Sequence, residues 1–224
     1  MKWIILAGLL LLIIALIELE DVKKTKNLPV VVTDDNKQIT VTELESNPMM
    51  LADSSPESIK LLADITKTIK NFEKALWDRF SSGDIELLPL ATYLNHLHER
   101  MDKVEISEGF LEKRTSYSID KQYIILCMRS KEKDTWGQLQ DINTIVYALL
   151  HELSHVACPC LDHPPEFSNI FRNILYQAIR YNIWKPVNYH KTPMRYCGDD
   201  ITTTPITLED MEYAVSRPLI LPIC

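Results

Sequence analysis

The sequence predicts an α+β fold, with helices packed on a small mixed sheet behind an N-terminal transmembrane helix. Three observations predict it. Apolar residues recur at three- and four-residue steps in several long stretches, the period of helices with one buried face. The stretch Tyr123-Ile124-Ile125-Leu126-Cys127-Met128 is instead β-branched and aromatic, as a buried strand is. Residues 3–17, WIILAGLLLLIIALI, form an apolar run with no polar face.

That run is read as an uncleaved, single-pass anchor spanning residues 1–20. As a helix it reaches roughly 22 Å, short of a bilayer core of about 30 Å. Lys2 can snorkel, and local thinning absorbs the mismatch. A cleaved signal peptide competes, but the small residues its cleavage needs are not at Ala15-Leu16-Ile17 or Ile17-Glu18-Leu19. Residues 21–54 read as a stalk with short β segments. Pro29-Val30-Val31-Val32 and Gln38-Ile39-Thr40-Val41 are separated by the turn-rich Asp34-Asp35-Asn36. Residues 55–224 make the folded domain.

In that domain, Ser54-Ser55-Pro56-Glu57 carries a helix-start signature. Leu62, Ile65, Ile69, Phe72, Leu76 and Phe80 then form one core stripe, ended by Ser81-Ser82-Gly83. Leu90, Tyr93, Leu94, Leu97 and Met101 give a shorter second helix. Its His96 and His98 stand two apart, do not face each other, and read as surface residues. A third helix runs from an Asp141 cap through Ala157, and a fourth begins near Pro164-Pro165. Beyond Trp184 the chain reads as irregular and Pro-rich.

Composition narrows the function classes. The net charge is -7, and no basic cluster exceeds Lys23-Lys24-Thr25-Lys26, which argues against a nucleic-acid partner. The five cysteines are odd in number and sparse, so they are not a disulfide framework. They read mostly as free thiols of a reducing compartment, with room for one or two bridges. Cys158-Pro159-Cys160 is too tight for a CxxC motif.

The chemistry concentrates in His151-Glu152-Leu153-Ser154-His155. Four residues apart on a helix, His151 and His155 share one face and can share one metal ion. Imidazole ligands suit Zn2+, which lowers the pKa of a bound water to about 7. Glu152, rotated about 100° around the helix, reaches that water rather than the metal, and would act as general base. A catalytic zinc needs a third protein ligand. His163, eight residues beyond His155, is the choice. Asp162, Glu166, Cys158 and Cys160 are the rivals. The bland alternative is a polar surface stripe on the third helix.

The run HELSHVACPCLDHPPEF resembles the zincin metallopeptidases of the WLM and SprT-like type, in which HExxH precedes a third His and a Phe four residues later. His163 and Phe167 match that pair. Metzincins are not matched, because Cys158 and Leu161 stand where their Gly and His are required. Asp162 and Pro164 replace the Gly or Asn that usually flanks the third His, and the anchor is unlike the soluble members that act on DNA–protein crosslinks. Anchored proteins with a trailing Tyr-Cys-Gly, here Tyr196-Cys197-Gly198, resemble a group in large DNA viruses, which implies a host or virion membrane. The resemblance implies a zincin-like metallopeptidase domain that hydrolyses a protein or peptide substrate. It further implies substrate pairing with an edge strand near Tyr123–Met128. Tyr181, Tyr189, His190 and Tyr196 are candidates for stabilising the oxyanion. The alternative is a non-catalytic, membrane-anchored structural or interaction protein retaining a zincin fold.

Overall fold

The computed structural model describes residues 30–32, 38–40, 56–109 and 115–221. The anchor expected over residues 1–20 lies outside them. Among the described residues no helix is long and apolar enough to cross a membrane. Two short strands, β1 (Val30–Val32) and β2 (Gln38–Thr40), pair antiparallel, with Val31 opposite Ile39.

Helix α1 (Pro56–Ser81) buries the expected stripe: Leu62, Ile69, Phe72 and Leu76 are almost fully enclosed. A 3-10 turn over Ile85–Leu90 follows, started by Asp84, whose side chain accepts from the Glu86 N–H. Helix α2 (Ala91–Met101) then packs back on α1. Its two histidines are partly exposed, as expected, yet each also makes contacts within the fold. His98 is stacked on Trp77, with ring centroids 4.0 Å apart, and its Nδ1 lies 2.9 Å from Glu73 Oε1. His96 buries its own Nδ1. The two-residue spacing does point them apart, but both sides of α2 meet neighbouring protein.

The sheet is mixed. Strand β5 (Tyr123–Leu126) is central, parallel to β3 (Glu105–Glu108) and antiparallel to β4 (Tyr117–Ile119). The expectation of an edge strand at Tyr123–Met128 is therefore overturned, because β5 is flanked on both sides, and among the described residues β3 and β4 are the edges. Its unbroken apolar character is what a central strand covered by a helix requires.

Helix α3 (Ile142–Ala157) is the hub, touching β4, β5, α2 and helix α4 (Pro165–Arg180). Asp141 caps it, accepting from the Thr144 N–H at 2.8 Å. Leu149, Leu150, Leu153 and Val156 are wholly buried. Each such side chain stabilises the fold by about 1.5–3 kcal/mol relative to exposure. At its last turn Arg100 donates to the Val156 carbonyl, a cation placed at the negative end of the helix dipole.

The segment beyond Trp184 is more regular than expected. Strands β6 (Met194–Tyr196) and β7 (Asp199–Ile201) form a hairpin, followed by helix α5 (Leu208–Val215). Cys197 and Gly198 turn the hairpin with φ of 53° and 94°, the left-handed pair that tight hairpins favour. Thr207 caps α5 by accepting from the Asp210 N–H.

The free-thiol reading is also corrected. Cys127 is bridged to Cys197 with Cα atoms 6.3 Å apart, and Cys158 is bridged to Cys160. Residues 70 apart in sequence meet because the β6–β7 hairpin folds over the end of β5, a proximity that spacing does not reveal.

Candidate metal centre

Helix α3 presents His151 and His155 one turn apart on the face turned toward α4. The chain leaves α3 at Cys158, turns through Asp162 with φ 57°, and returns at His163 just before Pro164 and Pro165 open α4. The three sequence-predicted ligands are brought together. Their Nε2 atoms stand 3.0 Å (His151–His163), 3.1 Å (His155–His163) and 3.3 Å (His151–His155) apart. Nitrogens held about 2.0–2.1 Å from one zinc at tetrahedral angles stand roughly 3.3 Å apart. The donor set therefore fits one small divalent ion. Neither Asp162, Glu166, Cys158 nor Cys160 joins the cluster. Glu166 instead accepts from the Tyr93 hydroxyl, and the two cysteines hold each other.

An aromatic cradle fixes the imidazoles. Phe167 is buried among all three, stacked on His155 at 4.2 Å and edge-on to His151 and His163 at 4.9 and 4.8 Å. Phe171 meets His151 edge-on at 5.1 Å. Burial, reinforced by the neighbouring imidazoles, pushes His151 down to about 3 and His155 to about 4. Both are thus neutral in the range where a metal needs their lone pairs.

Glu152 is 5% exposed. Burial pushes its carboxyl up to about 7, against hydrogen bonds from the Ser118 side chain and backbone, which lower it. Ser118 belongs to β4, so the edge strand holds the carboxylate. Sequence reasoning missed Ser118; the signal available was its place between Tyr117 and Ile119 in an alternating run.

A cleft of about 740 Å³ opens on this cluster, lined among others by His151, Glu152, His163, Ser116, His190 and Tyr196. Of the four oxyanion candidates, His190 is exposed on this cleft. Tyr196 also lines it, but its hydroxyl is committed. It donates to the Cys127 carbonyl and accepts from Ser116, whose oxygen accepts the Cys127 N–H. Tyr181 packs on Phe72, and Tyr189 is buried against Tyr147.

Fold and site together define a class: an α+β protein whose hub helix and following turn gather three imidazoles beside a buried glutamate. Within that class the chain belongs to the family of the uncharacterized protein R325 of Acanthamoeba polyphaga mimivirus. The two are 34% identical over 199 residues, covering 87% of this chain and 93% of that protein. It is also similar to the uncharacterized protein 136R of Invertebrate iridescent virus 6, 27% identical over 55% of this chain and 68% of the relative. With the uncharacterized protein 042R of Invertebrate iridescent virus 3 it is 34% identical over 34% of this chain and 46% of the relative. No family model and no solved structure matches the chain.

Proposed function

We propose that this chain is a zinc-dependent metalloendopeptidase of zincin type, tethered to a membrane by residues 1–20. The observation that carries the reading is the convergence of the His151, His155 and His163 Nε2 atoms within 3.3 Å of one another, beside the Glu152 carboxylate. A zinc ion held there supplies a Lewis acid that polarises a carbonyl and makes water a nucleophile near neutral pH.

The chain's own groups supply the rest. Glu152 accepts a proton from water and passes it to the departing amine, a role suited by a carboxyl raised to about 7. Ser118 keeps that carboxylate oriented. Strand β4, an edge of its sheet, receives an extended protein or peptide substrate by backbone pairing. This moves the expected substrate strand from Tyr123–Met128 to Tyr117–Ile119, beside Glu152. His190, exposed on the cleft, donates to negative charge developing on the substrate oxygen in this reading. Nucleic acid is not the partner this reading takes, given the acidic net charge of -7.

The test is hydrolysis of a peptide library by the zinc-loaded protein and its Glu152→Gln variant. The proposal expects cleavage by the former and at least about a hundredfold less by the latter, with zinc retained in both. A non-catalytic protein keeping this fold for structure or partner binding would leave the library intact in both.

A further inference from the structure

The two disulfides differ in what they hold. Cys127–Cys197 spans a sequence separation of 70 between two buried residues and ties β5 to the β6–β7 hairpin. A bridge closing so long a loop restricts the unfolded chain strongly. Cys158–Cys160 closes a ring around Pro159 alone, a loop that adds much less to global stability by that route. What this small ring restricts is local. It lies on the only covalent path between His155, in the last turn of α3, and His163, which belongs to no helix or strand. Cys158 is itself fully buried and donates its N–H to the Ser154 carbonyl, and Cys160 packs against the core. The Lys121 ammonium donates to the Cys158 and Cys160 carbonyls, and the Cys160 N–H donates to Cys158 Sγ at 3.2 Å.

We infer that Cys158–Cys160 is a redox-active pair, opened by a thiol reductant, and that its opening releases His163 and weakens metal binding. The inference rests on the reading of the three histidines as a metal site. The exchange is a two-electron step. A reductant thiolate attacks Sγ of Cys160, the more exposed of the two residues, forming a mixed disulfide and expelling Cys158 as thiolate. A second reductant thiol then displaces Cys160 and leaves as part of the reductant's own disulfide. Two protons end on the two protein thiols. Burial of Cys158 works against the thiolate it leaves as, and two contacts work for it. Cys158 Sγ already accepts an N–H, and the Lys121 cation stands beside the turn. The negative end of α3 opposes this, but Lys121 and Arg100 already engage its last carbonyls.

The full-length, zinc-loaded chain is equilibrated with glutathione buffers of decreasing oxidised fraction. Thiol trapping with mass spectrometry reports which bridge opens. Chelator competition, after anaerobic buffer exchange, reports zinc affinity. Cys158–Cys160 is expected to open before Cys127–Cys197, with zinc affinity falling about tenfold at the same step, the scale of a small loop's closure entropy. A Cys158→Ser/Cys160→Ser chain should show the weaker affinity throughout and no redox step. Opening of this bridge at unchanged or higher zinc affinity overturns the inference, as does wild-type affinity in the double variant. Zinc binding in neither redox state is a different failure, overturning the metal centre and this inference with it.

Discussion

Glu152 and its neighbours His151 and His155 pull the pH response of the metal-free protein in opposite directions. The Glu152 carboxyl titrates near 7 in the folded chain against an ordinary value of 4.5. Between those limits the folded state binds more protons, so this contribution to stability declines as pH rises. His151 and His155 are depressed to about 3 and 4 from 6.5. Below 6.5 the unfolded state binds more protons through them, and stability declines as pH falls. Two histidines outweigh one glutamate between pH 4.5 and 6.5. The metal-free protein is therefore expected to be most stable near pH 6.5 and to weaken in acid. Glu152→Gln removes the opposing contribution. Its stability relative to the parent should climb with pH up to about 7, by at most about 1.4 kcal/mol per pH unit, read from denaturant midpoints at several pH values. A relative stability flat in pH would contradict the burial assigned to this carboxylate. The same variant should lose about 10²–10⁴-fold in peptide hydrolysis, the usual worth of a general base.

Helix α3 and the start of α4 set the geometry that these residues exploit. Asp141→Ala removes the cap from Thr144 and should cost about 1 kcal/mol of stability without altering zinc affinity, since the cap lies at the far end of α3 from His155. Phe167→Ala should cost about 3 kcal/mol or more as a core truncation. It should also weaken zinc binding, because Phe167 packs against all three imidazoles. Equal zinc affinity in both variants would show that the cradle does not orient the ligands. These helices were legible in the sequence because their signals are local: an Asp141 cap, a 3.6-residue apolar period, prolines at the first turn of α4. The short strands β3 and β4 were not, since three or four residues show little alternation and their pairing with β5 is tertiary. The β6–β7 hairpin and α5 did carry local signals, in Cys197-Gly198 and the Thr207–Asp210 cap. The prolines of that segment obscured them.

At the scale of the whole molecule, the three imidazoles of the candidate centre were readable because two lie at fixed helical spacing and the third follows eight residues later. The place of β4 beside Glu152, the Ser118 contact and both disulfides depend on residues meeting across the fold, which a linear pattern does not display. A metal that binds only the folded chain stabilises it by mass action, by about 2.7 kcal/mol at a hundredfold excess over Kd. Chelation should therefore lower the melting temperature of the parent and leave that of His163→Ala nearly unchanged. The most direct measurement is zinc stoichiometry of the purified full-length chain by native mass spectrometry, beside the single variants His151→Ala, His155→Ala and His163→Ala. One zinc per parent chain, lost or sharply weakened in each variant, is the expected result. A parent chain that takes up no zinc, or a His163→Ala chain that holds it as tightly as the parent, would contradict a shared three-imidazole centre.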